Sequence, residues 1–182
     1  MDFTFSTTTT PQVKKIEWLE QLMEDYGDSL TKLAYSYVKD IGRAQEIVQD
    51  VFFICYSQYE QVIKIQLVKA WLYRVTINRS KDVLRSSWLK RILLNNVLPN
   101  YTKSNHLTEQ AVLHSEQQQH LLSYVLKLPI KYREALLLFY YEDLSIIEIA
   151  DLLDINKNTV KTRLKRGRAL LEKQLKDGDF HA

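Results

Sequence analysis

The sequence has little cysteine, glycine or proline, and it contains no long apolar run. One cysteine in 182 residues, Cys55, excludes an internal disulfide, and four scattered histidines show no zinc-ligand spacing. With four glycines, neither GxGxxG nor GxxxxGK[ST] occurs, which excludes these nucleotide-binding loops. The longest apolar run, Ala135 to Tyr141, is far shorter than the ~20 residues of a membrane-spanning helix. These absences predict no cofactor, no metal site and no membrane insertion, in a reducing cytoplasm.

Helical signals cover most of the chain, and strand signals are scarce. Apolar periodicity, interrupted at Gly27 and Gly42, predicts helices over 15–25, 27–39, 42–58 and 67–90. Residues 95–115 lose this periodicity and turn polar, which is typical of a flexible linker. Helical pattern returns at Glu116, stops at Leu128–Pro129 and starts again at Ile130.

The sequence therefore predicts an all-α protein with two small helical domains. A disordered leader without secretory-signal features would occupy residues 1–14, and the first domain residues 15–94. The linker over 95–115 would join it to a second domain over 116–176.

Charge is divided unevenly along the chain. Residues 64–91 carry eight bases against one acid, and so do residues 156–176. An acidic segment precedes each of them, with six acids against two lysines in 1–30 and five acids without a base in 135–154. Two basic segments indicate two places that meet a polyanion, although ordinary solvated helix faces would give the same counts.

The second domain carries the pattern of a helix-turn-helix. Ser145 and Glu148 fit a capping box that opens a short helix, and Asn156 suits the cap of the next helix. In that last helix the inward residues would be Val160, Leu164, the small Gly167 and Leu171. A short helix, a tight turn and a basic second helix are the layout of this DNA-binding motif.

The side chains away from that inward face mix hydrogen-bonding and cationic groups, as base reading in a major groove requires. Those opposite it are Asn158, Thr162, Lys165, Arg166 and Ala169, and those on its flanks are Lys161, Arg163 and Arg168. We expect Thr162 and Arg166 to read neighbouring base pairs, and Lys161 and Arg163 to contact phosphates. The alternative is a solubilising face on a three-helix bundle.

A second basic surface is predicted in the first domain. One polar stripe at helical spacing consists of Arg74, Asn78, Lys81 and Arg85. The aromatic residues in its vicinity are Tyr56, Tyr59, Trp71, Tyr73 and Trp88. Basic groups hold backbone phosphates and aromatic faces stack unpaired bases, so the pattern suits single-strand binding, although any one of these aromatics is more often core.

Three stretches of the chain resemble one family, the extracytoplasmic-function (ECF) sigma factors of the bacterial sigma-70 family. They are AQEIVQDVF at 44–52, AWLYRVTIN at 70–78 with Asp82 and Arg85, and the pieces LPIKYRE, LSIIEIA and NTVKTRL between 128 and 164. The first is similar to a polymerase-binding segment, the second to a segment that melts and holds the −10 element, and the third to a −35-reading domain. Tyr56 stands where the family usually has tryptophan, and Asn158 where glycine is common.

The resemblance implies a promoter-specificity subunit of RNA polymerase that has no catalytic activity of its own. Helix 44–56 would dock on the clamp helices of the polymerase β′ subunit, through an exposed face centred on Gln49, Asp50 and Phe52. The implied partners are core RNA polymerase through these clamp helices and the β flap, promoter DNA, and an anti-sigma factor that can be anchored in a membrane.

The resemblance also divides the work on DNA between the two domains. The stripe from Arg74 to Arg85 would track the −10 strand, and the 58–66 loop would accept a flipped base. The helix-turn-helix would fix register at the −35 duplex.

Two other functions stay open on the sequence. A conventional helix-turn-helix regulator explains residues 130–176 but leaves the 44–52 segment and the basic stripe unexplained. A DNA-cleaving recombinase would need an activated nucleophile, and the first domain shows no cluster that could supply one.

Overall fold

A computed structural model describes residues 11–93 and 116–179, in which every regular element is an α-helix. The helices of the first domain are α1 Pro11–Val38, α2 Ile41–Ser57, α3 Tyr59–Val62 and α4 Val68–Leu93. Those of the second domain are α5 Glu116–Lys127, α6 Ile130–Tyr140, α7 Ile146–Leu153 and α8 Lys157–Asp179. The predicted all-α class is confirmed. The predicted linker over 95–115 lies outside the described residues, as do residues 1–10 of the leader, whereas residues 11–14 belong to α1.

The helix break predicted at Gly27 is wrong. α1 continues from Pro11 to Val38, and Gly27 has no positive φ that would end a helix there. The hydroxyl of Thr31 donates to the Gly27 carbonyl oxygen at 2.7 Å. An interior glycine costs a helix only about 0.5–1 kcal/mol relative to alanine, and the burial of Leu22 and Leu30 on either side offsets that cost.

The break expected near Gly42 lies slightly earlier in the chain. Lys39 adopts a left-handed conformation with φ of 55° and follows the last residue of α1. Asp40 then caps α2, since its carboxylate accepts the Arg43 backbone N–H at 3.0 Å. Gly42 is thus the second residue of α2 rather than a turn residue.

The helix-turn-helix is present in the second domain. Ser145 and Glu148 form the predicted capping box, and Asp154, in a left-handed conformation, ends α7. Asn156 accepts the backbone N–H of Thr159 at 2.7 Å and so caps α8. The inward residues of α8 are also as predicted, because Val160 is fully buried and Leu164 nearly so.

The two domains pack against each other. Helix α1 contacts α6, and α4 contacts α7. Buried apolar residues of both domains belong to one continuous cluster. The surfaces of α4 and α8 therefore have to be considered in this joined arrangement.

Gly167 permits a close approach between α8 and α6. A Cβ atom at this position would lie 3.1 Å from Leu136 Cδ1 and 3.3 Å from Tyr132 Cβ. Both distances are shorter than ordinary carbon contacts of about 3.5–4.0 Å. By contrast, a Cβ atom at Gly27 would meet nothing within 4 Å.

This difference predicts opposite effects for the same substitution at two helical glycines. Gly27→Ala should raise the free energy of unfolding by about 0.5–1 kcal/mol, because alanine is the better helix former. Gly167→Ala should lower it, because overpacking costs about 1–3 kcal/mol. Urea unfolding of both variants measures the difference, and equal stabilisation by the two would contradict the close approach.

Candidate nucleic-acid interface

The face of α8 that was predicted to read DNA is exposed. Its exposed side chains are Asn158, Lys161, Thr162, Lys165 and Arg166. The Thr162 hydroxyl donates to the Asn158 carbonyl oxygen at 2.8 Å, which leaves its lone pairs available as acceptors. The N-terminal half of α8 thus presents cations and hydrogen-bonding groups to solvent on one face, as base reading requires.

Arg163 does not join that exposed set. Its Nη1 donates to Glu134 Oε1 at 2.7 Å, and only 21% of the Arg163 side chain is exposed. The prediction that Arg163 is free to contact phosphates is therefore wrong for this arrangement. Helical rotation placed Arg163 on a flank of α8, but it could not show that α6 brings a buried acid to that flank.

The basic stripe on α4 is only partly open to solvent. Asn78 and Arg85 are exposed, and Arg85 has an ion pair of 3.7 Å with Asp82 one turn away. Arg74, although exposed, donates through Nη2 to the Asp151 carbonyl oxygen of α7 at 2.6 Å. Lys81 Nζ lies 3.4 Å from Glu134 Oε2, with 41% of its side chain exposed. Two of the four stripe residues thus contact the second domain.

The aromatic residues near the stripe separate into two groups. Tyr73 is buried between the domains, where its hydroxyl donates to Glu142, and half-buried Trp71 packs against the core. Tyr73 therefore presents no free face for stacking. The Trp88 side chain lies outside the described part of the chain.

Tyr56 and Tyr59 are half-buried and contact the beginning of α1. Lys15 Nζ lies 3.8 Å from the centroid of the Tyr56 ring, and Trp18 meets Tyr59 edge-on at 5.2 Å between ring centroids. The 58–66 segment beside them contains the short helix α3, so its prediction as a loop was incomplete. Val62 anchors this segment in the core, while Ile63 is exposed.

The outward face of α2 differs from the expected one at a single residue. Gln49 and Asp50 are exposed as predicted. Phe52, however, is only 6% exposed, whereas Phe53 is 69% exposed. The expectation that Phe52 lies on an exposed face is wrong, because α2 is covered by both α1 and α4 and so buries a wider stripe.

A signal for this wider stripe is present in the sequence. Ala44, Val48, Phe52 and Cys55 follow a helical i, i+4, i+8, i+11 pattern, and all four are buried. Phe53 falls outside that pattern. Burial also raises the pKa of Cys55 to about 11, so this thiol stays protonated and unreactive.

No group of histidine, cysteine or acidic side chains in the described ranges 11–93 and 116–179 could hold a metal ion. Nor is any helix in these ranges long and apolar enough to cross a membrane.

Comparisons with known proteins assign both domains. The family model described as sigma-70 region 2 matches residues 22–90, and the model described as sigma-70, region 4 matches residues 118–171. These two ranges contain the α4 stripe and the α8 face.

Curated relatives extend the match along nearly the whole chain. An ECF RNA polymerase sigma factor SigW of Bacillus subtilis is 31% identical over an alignment covering 91% of this chain and 94% of the relative. RNA polymerase sigma factor SigV of the same organism is 30% identical, covering 86% and 90% of the two chains.

A solved structure shows the same fold. The sigma factor RpoE from Bartonella quintana, in complex with the anti-sigma factor NepR, aligns with a TM-score of 0.63 and 20% identity. The alignment covers 88% of this chain and 97% of that one. Two family models and two relatives of at least 30% identity lead to one conclusion: the chain belongs to the ECF group of sigma-70-type RNA polymerase sigma factors.

Proposed function

We propose that this sigma factor docks on core RNA polymerase through α2, holds the −10 strand with the α4 stripe and reads the −35 duplex with α8, and that it catalyses no reaction itself. The observation that carries this proposal is the presence of two basic helical surfaces, one within each of the two domains that match sigma regions 2 and 4. Its site of action is then the cytoplasm, where its polymerase is.

The docking surface consists of Gln49, Asp50 and Phe53 on α2. Gln49 and Asp50 are exposed on successive positions, and Phe53 follows one turn later with most of its ring in solvent. An exposed aromatic ring beside polar groups is typical of a residue that a partner buries. Phe52 supports this surface from within, because it packs in the core beneath α2.

The −10 contact uses the stripe of Arg74, Asn78, Lys81 and Arg85. Cations along α4 would hold the strand by its phosphates, and the 58–66 segment with Tyr59 nearby would receive an unpaired base. Extruding a base costs a few kcal/mol, and stacking returns about 1–3 kcal/mol per base. Strand opening then requires only binding that favours the melted form, without ATP.

The −35 contact uses the N-terminal half of α8. Thr162 and Arg166 would read base edges, Asn158 and Lys165 would lie beside them, and Lys161 would contact a phosphate. We propose a structural role for Arg163 instead, because its guanidinium forms an ion pair with Glu134 inside the second domain.

Further partners are proposed by similarity. One solved relative is bound to the anti-sigma factor NepR, and another structure, of CnrH, contains the cytosolic domain of CnrY. We propose that an anti-sigma factor likewise binds this chain and that the second domain contacts the β flap of the polymerase.

The docking surface predicts that Asp50→Arg combined with Phe53→Ala weakens binding to core polymerase at least tenfold, about 1.4 kcal/mol, because both groups face the partner. Glu17→Arg, a charge reversal on the exposed face of α1, is the matched control and should bind normally. Phe52→Ala should instead destabilise the fold by about 3–5 kcal/mol. Fluorescence titration with core polymerase reads the affinity, and wild-type affinity in a folded double variant would exclude this surface.

Base reading by Arg166 predicts a change in sequence preference. Arg166→Ala should relax selection at one or two −35 positions, because a bidentate contact to guanine contributes about 1–3 kcal/mol of discrimination. Lys173→Ala, an exposed cation two turns further along α8, should retain the wild-type motif. The measurement compares the −35 motifs that wild-type and variant holoenzymes select from a randomised library. If Arg166→Ala selects the wild-type motif, Arg166 reads no base.

The structural role of Arg163 predicts a loss of stability. Arg163→Ala should lower the free energy of unfolding by about 1–3 kcal/mol, because buried Glu134 loses a charged donor. Arg166→Ala should change it by no more than about 0.5 kcal/mol. Urea unfolding compares the two variants. A different result would show that Arg163 contacts a DNA phosphate after all. In that case Arg163→Ala would keep wild-type stability, and the slope of log DNA affinity against log salt concentration would fall by about one.

A further inference from the structure

Leu67, which immediately precedes α4, is the most exposed large apolar side chain in the described ranges. Its exposed fraction is 73%, against 69% for Phe53 of the proposed docking surface. Two apolar neighbours in the same segment lie inward, since Val62 is 1% exposed and Val68 packs against the core. A single exposed leucine is ordinary on a protein surface, so its meaning depends on what lies around it.

The backbone of Leu67 is anchored on both sides. The Trp71 backbone N–H donates to the Leu67 carbonyl oxygen at 3.1 Å, which extends the helical register of α4 by one residue. Before it, in the turn that follows α3, the Ile65 N–H donates to the Val62 carbonyl oxygen at 3.0 Å. The Leu67 side chain therefore projects into solvent from an ordered backbone.

Helical register places Leu67 at the N-terminal end of the basic stripe on α4. The stripe residues follow it by 7, 11, 14 and 18 positions. At about 3.6 residues per turn, all four spacings return to within about 40° of the same direction. The four are Arg74, Asn78, Lys81 and Arg85. An exposed apolar side chain thus continues the line of groups that would hold the −10 strand.

The chemistry of this line selects a nucleobase as the partner of Leu67. The charged phosphates of a strand would lie on Arg74 and Arg85, whereas the faces of its bases are flat and suited to apolar contact. Proteins that deform DNA frequently insert leucine, isoleucine, methionine or phenylalanine between two bases, which partly unstacks them. Lys64, exposed three residues before Leu67, adds a cation for the backbone of the same strand.

We propose that Leu67 is a wedge that inserts between two bases at one end of the −10 element and so helps to start strand separation. The proposal rests on the proposed −10 function of the α4 stripe and adds a step before it. The stripe holds a strand that is already separated, whereas the wedge acts on the paired duplex. Insertion removes the leucine from water, and this gain offsets part of the cost of unstacking.

The test compares a paired promoter with one that is already open. The promoter is a sequence selected by the wild-type holoenzyme, and its pre-opened form carries mismatches throughout the −10 element. Leu67→Ser removes the apolar side chain, and Met23→Ser, which changes a 49% exposed apolar side chain on α1, is the matched control. The base analogue 2-aminopurine in the −10 element fluoresces when it unstacks and so reports the rate of opening.

We expect Leu67→Ser to slow opening of the paired promoter by about tenfold, because the transition state loses the burial of a leucine. The same variant should transcribe from the mismatched promoter at the wild-type rate. Leu67→Met keeps an apolar side chain of similar volume and should restore opening. Met23→Ser should match the wild type on both promoters. Wild-type opening by Leu67→Ser, or an equal defect on both promoters, would overturn the wedge.

Two further measurements separate the wedge from other roles. The affinity of Leu67→Ser for core polymerase should equal that of the wild type, and a weaker affinity would mean that polymerase rather than a base covers Leu67. Lys81→Ala with Arg85→Ala should be defective on both promoters, because the stripe holds the strand in each. If that double variant is normal on both, the −10 assignment of the stripe fails. If it is defective on both while Leu67→Ser matches the wild type, only the wedge fails.

Discussion

A carboxylate removed from water must be surrounded by donors, and Glu134 meets this requirement with side chains from three other helices. Tyr37 comes from α1, Lys81 from α4 and Arg163 from α8. Removing one donor from a buried charge costs far more than an exposed ion pair contributes. Glu134 thus links α6 to α8 within the second domain and to α1 and α4 of the first, in addition to the apolar contacts between them.

The polar contacts between the two domains are of moderate strength. Hydrogen bonds to charged groups contribute about 1.5–3 kcal/mol each, so those from Tyr37 to Glu134 and from Tyr73 to Glu142 together give a few kcal/mol. One cation pair opposes them: Arg133 of the second domain adds to the effect of burial in lowering the pKa of Lys39 of the first.

The sequence was most informative where structure depends on near neighbours. The capping box at Ser145 and the cap at Asn156 need only residues within one turn, and both were predicted correctly. Phe52 was misplaced because the width of a buried stripe depends on how many helices cover it. Arg163 was misplaced because its partner, Glu134, lies 29 positions away on another helix, where no periodicity connects the two.

The central claim, that the two domains together direct core RNA polymerase to a promoter, is tested most directly by transcription in a purified system. Core polymerase is supplied with a library of promoter fragments, with and without this chain, and the 5′ ends of the transcripts are sequenced. The account predicts transcripts that start at fragments sharing one −10 and one −35 motif and that appear only when the chain is present. The same transcripts with and without the chain would contradict it.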